Sequence, residues 1–329
     1  MATANPTVHG AGPVTGSRSF LSRLKDGDEI ARLITFLFAA TVVLITVLLV
    51  YELWVNSALP RQKFGLHFFV TQVWDPVMDE YGALPFIYGT VVTSMVALLL
   101  AVPLGIGASI FLAELAPPRV SDTLQFFIDL LAAVPSVIYG VLGIFIVVPL
   151  MRTVIYPALN KPFGYLPIFK GPSYGVGFFT AGIVLAIMVI PYIISVSREV
   201  LLSVPRDQRE AALALGSTRW ESTWKVVVPF AKTGIMGSIF LALARALGET
   251  MAVTMVIGNT PKISASLFAS GYSIAAVIAN EFTEATGELY TQSLIALALV
   301  LFILTFVLNG LARLLIVVTT QKGSGKGNQ

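Results

Sequence analysis

Residues 210–229 read EAALALGSTRWESTWKVVVP and lie between two apolar runs that are each long enough to cross a bilayer. The first part of the stretch is rich in Ala, Leu and Glu, which favour helix. Gly216 can adopt the left-handed conformation that stops such a helix. Thr218 followed by Glu221 three residues later is the pattern of a capping box, which starts a second helix at once. The stretch therefore predicts a helix, a glycine turn and a second helix that ends or bends at Pro229.

The composition of the chain is that of an integral membrane protein. Of its 329 residues, 56% are hydrophobic and 12% are charged, and the mean hydropathy is +0.84. In a soluble domain, roughly a quarter of the residues are charged. The chain has no cysteine, which excludes disulfide bonds and cysteine metal sites. The formal net charge of +3 is too small to indicate a nucleic-acid partner.

Six apolar runs predict an all-α membrane protein with six transmembrane helices. We expect a cytoplasmic N-terminal tail at residues 1–31, a transmembrane domain at 32–316, and a cytoplasmic C-terminal tail at 317–329. Within the domain, a cytoplasmic loop is expected at residues 198–232. The six spans are predicted at residues 33–54, 86–113, 126–150, 175–197, 233–258 and 289–313.

The distribution of basic residues predicts that both termini are cytoplasmic. With a cytoplasmic N-terminus, fourteen Lys and Arg residues fall in the inside segments and six in the outside loops, with Arg245 the remaining one. Six of the fourteen lie in the loop 198–232. Because cytoplasmic loops of membrane proteins carry the excess of Lys and Arg, this loop is predicted to face the cytoplasm.

The fifth span is the one that carries charges in its core, Arg245 and Glu249. Arg245 lies twelve residues beyond Thr233, which is roughly 18 Å along a helix and near the middle of the bilayer. Such a residue costs about 2.5–3.5 kcal/mol to insert, so it usually faces a partner or a water path. At a spacing of four residues the two side chains are expected to pair. Two interpretations stay open: an ion pair that fixes helix packing, and a positive group beside the translocation path for an anion.

The stretch 210–229 resembles the EAA loop of ABC importer permeases, which is Glu-Ala-Ala, three residues, Gly, nine residues, an aliphatic pair and Pro. This chain has Val at both aliphatic positions, where Ile and Leu are typical. In the family the loop docks into a cleft on the ATPase subunit; an ordinary cytoplasmic helical hairpin is the alternative. The positions to which the resemblance assigns ATPase coupling are Glu210, Ala211, Ala212, Gly216 and Pro229.

Three further motifs resemble the phosphate importer permeases of this family. They read GALPFIYGT at residues 82–90, AVPSVIYG at 133–140 and RALGETMAV at 245–253, and the resemblance extends over residues 31–316. It implies the type I importer permease fold, also called MetI-like. It also implies that Arg245 and Glu249 belong to the phosphate translocation path.

The resemblance implies a set of partners for this chain. They are a homologous second permease, an ATPase dimer and an external phosphate-binding protein, with phosphate as the cargo and a multi-pass location in the cytoplasmic membrane. ATP and Mg²⁺ are expected on the ATPase, and no catalytic residue, cofactor or metal is expected in this chain. The alternatives are a permease for another oxyanion, such as molybdate or sulfate, and a stand-alone secondary transporter.

Overall fold

The computed structural model of the chain describes residues 28–170 and 174–324, with side chains between residues 30 and 314. Most of the predicted N-terminal tail and the end of the predicted C-terminal tail lie outside the described residues. The described chain contains eleven α-helices and one antiparallel pair of short strands, β1 (Trp74–Asp75) and β2 (Glu80–Tyr81). The helices are α1 (Asp28–Val55), α2 (Ala58–Phe64), α3 (Leu84–Leu115), α4 (Pro118–Ala132), α5 (Ser136–Phe163), α6 (Phe178–Leu202), α7 (Arg206–Ala214), α8 (Arg219–Leu247), α9 (Met251–Ile257), α10 (Ile274–Glu281) and α11 (Glu288–Ser324).

Six of these helices are long and apolar enough to cross a membrane: α1, α3, α5, α6, α8 and α11. This number and the helical architecture confirm the predicted fold class. Two compact units divide the chain after Glu52. In the first unit, the side chains of α1 between residues 30 and 49 are exposed and almost all apolar, as suits a helix surrounded by lipid.

Helix α6 is central to the second unit. In its most apolar stretch, 61% of the residues are buried, against 33% or less in the corresponding stretches of the other spanning helices. Small residues allow its neighbour α3 to approach closely. A Cβ atom added to Gly105 on α3 would lie 2.7 Å from Cγ2 of Ile193, and one added to Gly182 on α6 would lie 2.4 Å from Cγ1 of Val96. These glycines therefore serve close helix packing.

The predicted third span at residues 126–150 does not coincide with one helix. Residues 126–132 belong to α4, and the chain breaks before α5 begins at Ser136. The cause is Pro135, which has extended backbone angles, lacks an N–H and disfavours helix at the residue before it. Helix α5 then continues to Phe163, thirteen residues beyond the predicted end of the third span.

The predicted fifth span at residues 233–258 is also interrupted. Helix α8 begins at Arg219 and ends at Leu247, and the separate helix α9 follows from Met251. Pro229 does not end a helix: it follows a wide, π-helical turn at Thr223–Val227 and lies at the start of the regular segment. A missing N–H needs no partner at such a position, so α8 passes through it.

The last helix is longer than expected. Helix α11 runs to Ser324, whereas the sequence places the end of the sixth span at residue 313 and a tail from 317. The helix geometry does not fix where the membrane ends, so the borders of all six spans stay predictions.

Candidate functional site

The loop around Gly216 has the helix–turn–helix form that the sequence predicts. Gly216 has φ +86° and follows α7, and the N–H of Ser217 donates to the carbonyl of Ala212 at 3.2 Å, as in a Schellman motif. The capping box is complete: the N–H of Glu221 donates to Thr218 Oγ1 at 3.2 Å, and the N–H of Thr218 donates to Glu221 Oε2 at 3.0 Å. Local signals in the sequence thus fix the backbone of this loop.

The side chains of the loop divide into an inner and an outer set. Ala212 is buried, while Glu210 and Ala211 are exposed, so one of the two predicted alanines turns inward. Leu215 is 88% exposed. The exposed set of Glu210, Ala211 and Leu215 offers a mixed acidic and apolar surface.

An ion pair that the sequence analysis did not anticipate fastens α7 to the end of α3. Arg209 Nη2 lies 2.8 Å from Glu114 Oε1, and the two side chains are 20% and 10% exposed. The guanidinium also donates to the carbonyls of Leu201 at 2.7 Å and Val204 at 2.5 Å. The partners are 95 residues apart, so no spacing in the sequence indicates them. The pair makes the loop a rigid extension of α3 and α6.

Replacing Gly216 with alanine is expected to loosen this loop, because a left-handed backbone costs an L-residue about 1–2 kcal/mol. Nothing lies within 4 Å of the added Cβ atom, so the effect is one of backbone strain alone. Amide hydrogen exchange in α7 should become about 5- to 30-fold faster. Gly237 is the matched control: its added Cβ also meets nothing within 4 Å, but it lies inside α8. Equal exchange in Gly216→Ala and Gly237→Ala would contradict the prediction.

Arg245 lies in the last turn of α8, and its side chain is exposed. Its guanidinium carbon stands 4.2 Å from the centre of the Tyr192 ring on α6, a cation–π contact. The hydroxyl of Tyr192 donates to the carbonyl of Ala132 at 2.8 Å, and that of Tyr139 donates to the carbonyl of Leu131 at 2.7 Å. The two tyrosines thus bind carbonyls at the C-terminal end of α4, and Tyr192 also contacts Arg245. The sequence analysis did not identify either of them.

The expected pairing of Arg245 with Glu249 is wrong. No ion pair joins them in the described residues, because α8 ends at Leu247 and the four-residue helical spacing is lost across Gly248. Glu249 Oε1 instead accepts the N–H of Ala252 at 3.2 Å, at the start of α9. A carboxylate at that position satisfies an unpaired helix N–H. The guanidinium of Arg245 is therefore positioned by an aromatic ring, while Glu249 is held by backbone.

Comparison with known proteins shows the family to which this chain belongs. The family described as "Binding-protein-dependent transport system inner membrane component" matches residues 105–316. A protein of Mesorhizobium japonicum named "Phosphate transport system permease protein PstC" is 47% identical over 83% of this chain and 86% of its own length. A protein of the same name from Xylella fastidiosa is 49% identical over 79% of this chain and 82% of its own. The chain belongs to this permease family.

Solved structures support the same fold. A chain of the inward-facing MetNI methionine ABC transporter superimposes with a TM-score of 0.56 at 15% identity, over 75% of this chain and 99% of its own. A chain of a bacterial ABC transporter for the polysaccharide alginate gives 0.57 at 17% identity, over 88% and 98%. The chain is thus a multi-pass inner-membrane permease subunit of an ABC importer. The expectation of a transport subunit rather than an enzyme is confirmed by the names of its relatives.

Proposed function

We propose that this chain is the permease that carries inorganic phosphate through an ATP-driven importer. The observation that carries the proposal is the exposed guanidinium of Arg245, stacked on Tyr192 and not paired with Glu249. A guanidinium is a fixed positive charge whose forked donors match an oxyanion. Relatives at 47% and 49% identity named as phosphate permeases support phosphate as that anion.

Arg245 and Glu249 act at the translocation path in this proposal. Arg245 contacts the anion on the exposed side of α8, and Glu249 limits how tightly the anion is held by adding a negative charge four residues further along the chain. Tyr192 contacts Arg245 through a cation–π contact and not through a hydrogen bond. The ring therefore orients Arg245 without occupying its N–H donors.

The loop of α7 and Gly216 couples this permease to the ATPase. We place the loop 198–232 and both termini in the cytoplasm, as the basic residues require. Glu210, Ala211 and Ala212 form the docking helix, and Gly216 with Pro229 sets its direction. The partners are a homologous second permease, an ATPase dimer that binds ATP and Mg²⁺, and an external phosphate-binding protein. The rigid Arg209–Glu114 link transmits movement of the docked helix to α3.

The cargo is tested by uptake into vesicles that hold this chain, its second permease and the ATPase, with ATP inside and the binding protein outside. Labelled phosphate is expected to accumulate, and sulfate or molybdate in about 100-fold excess should leave the rate unchanged. Accumulation of molybdate or sulfate in place of phosphate would reassign the cargo. Phosphate uptake without the ATPase would instead establish the secondary transporter.

A further inference from the structure

A second basic site lies on the loops that the proposed topology places outside. A cavity of about 430 Å³ is lined by Lys170, from the segment before α6, and by Lys262, from the loop after α9. Five hydroxyl side chains complete its polar lining, those of Tyr174, Thr260, Ser264, Ser266 and Ser270. The lining residues, all in the described part of the chain, include no Asp or Glu. Two cations and several hydroxyls around one concave space are suited to an oxyanion.

The two loops that form the cavity are fastened together. The N–H of Leu267 donates to the carbonyl of Ile168 at 2.9 Å, and the N–H of Phe179 donates to the carbonyl of Leu267 at 2.8 Å. The buried ring of Phe268 packs against the rings of Phe169 at 5.7 Å and Phe179 at 5.8 Å between centres. The cavity is therefore built on a fixed frame, and binding an ion there requires little ordering of the chain.

The hydroxyls of this cavity are arranged to donate. Ser264 Oγ accepts the N–H of Ser266 at 3.1 Å, and Ser266 Oγ accepts the N–H of Phe268 at 3.2 Å. A hydroxyl that accepts a backbone N–H can still donate its own proton. Ser266 is 9% exposed, so its hydroxyl lies at the floor of the cavity and the lysines stand nearer the rim.

We propose that this cavity is an outer binding site for a tetrahedral oxyanion of the class of hydrogen phosphate. Lys170 and Lys262 balance its two negative charges, and Ser264 and Ser266 donate to its oxygens. The site rests on the proposed function, because its external position follows from the proposed topology. Helix α9 joins Glu249 to the loop of Lys262 and is about 10 Å long at 1.5 Å per residue. The loop that carries Lys262 is thus connected to the Arg245 region through one short helix.

The burial of Ser266 beside two exposed lysines favours a small ion over an acidic segment of a docked protein. Carboxylates on a protein surface reach the lysines at the rim, but the Ser266 hydroxyl is accessible to a ligand small enough to enter. A tetrahedral oxyanion can accept from the rim and the floor at once, because its four oxygens point in different directions. The experiment must therefore distinguish binding of a small oxyanion from docking of an acidic protein surface.

The test is lysine footprinting of the complete permease–ATPase complex in nanodiscs, without the binding protein. An amine-reactive ester modifies exposed lysines, and mass spectrometry follows the rate at each one in inorganic phosphate or in chloride of equal ionic strength. With a Kd of about 1 mM, about 10 mM phosphate should slow modification of Lys170 and Lys262 about tenfold. Lys161, exposed near the end of α5 and outside the cavity, is the control and should react equally in both salts.

A matched variant completes the design. Lys170→Gln keeps a polar side chain only one atom shorter and removes the charge, so phosphate should protect Lys262 much less in this variant. Equal modification in phosphate and chloride overturns the proposal, as does protection that requires the binding protein, which would establish a docking surface. If phosphate protects the lysines but is not taken up, the outer site is supported and phosphate is rejected as the cargo. Uptake without protection would remove this site alone.

Discussion

Replacing Arg245 with alanine is expected to reduce phosphate uptake to near background while the transporter complex still assembles. The guanidinium is exposed and contacts a tyrosine ring, so its removal leaves no buried partner unpaired and no cavity in the core. What is lost is a charge-assisted contact to the anion, worth about 1.5–3 kcal/mol, which corresponds to roughly 10- to 150-fold in rate. The measurement is binding-protein-dependent uptake in vesicles, with subunit stoichiometry determined on the same preparation.

Two further variants show whether position or charge alone matters at this site. Arg245→Lys keeps the charge but loses the fork and its stacking on Tyr192, so uptake should fall to an intermediate level. Arg119→Ala removes an exposed arginine from α4 and should transport normally. Normal uptake by Arg245→Ala would show that the side chain contributes only to packing. Loss of subunits from the complex would assign it to assembly instead.

The features that the sequence predicts correctly are those decided by residues close together in the chain. The glycine turn and the capping box of Thr218 and Glu221 were both predictable, because each is decided within a few residues. The number of spanning helices was predictable for a related reason, since each span is a continuous apolar run. Helix ends inside apolar runs were not, because the breaks at Pro135 and Gly248 leave the hydropathy unchanged.

Contacts between segments far apart in the sequence could not be predicted from the spacing of residues. Glu114 comes directly after the predicted second span, yet it meets Arg209 across 95 residues of chain. The pairing of Arg245 with Glu249 failed because it assumed a continuous helix, and three non-helical residues separate α8 from α9. Tyr192 gave no signal in a long apolar run, although its ring is what positions Arg245. The residue types at the candidate site were thus predictable, and their partners were not.

The second large effect is expected from Glu210→Ala, which should uncouple the permease from its ATPase. Glu210 is exposed on α7, so its removal should change the free energy of unfolding by no more than about 0.5 kcal/mol. A charged residue at the centre of a docked surface can contribute about 2 kcal/mol or more to binding, which is roughly a 30-fold loss of affinity. The measurements are the affinity of the ATPase for the permease pair and the stimulation of ATP hydrolysis by the loaded binding protein.

The controls for Glu210→Ala lie on the same helix. Asp207 is also an exposed carboxylate, one turn earlier on α7, and Asp207→Ala should leave both measurements within about twofold if position rather than charge decides docking. Arg209→Ala should also impair coupling, but by a different route: it leaves the largely buried Glu114 carboxylate unpaired and should lower the thermal stability of the permease itself. Full coupling in Glu210→Ala with impaired coupling in Asp207→Ala would show that Asp207, and not Glu210, contacts the ATPase. Impaired coupling in Glu210→Ala with unchanged stability would place the effect at the ATPase surface, because the Glu210 side chain is exposed and makes no ion pair within the described residues.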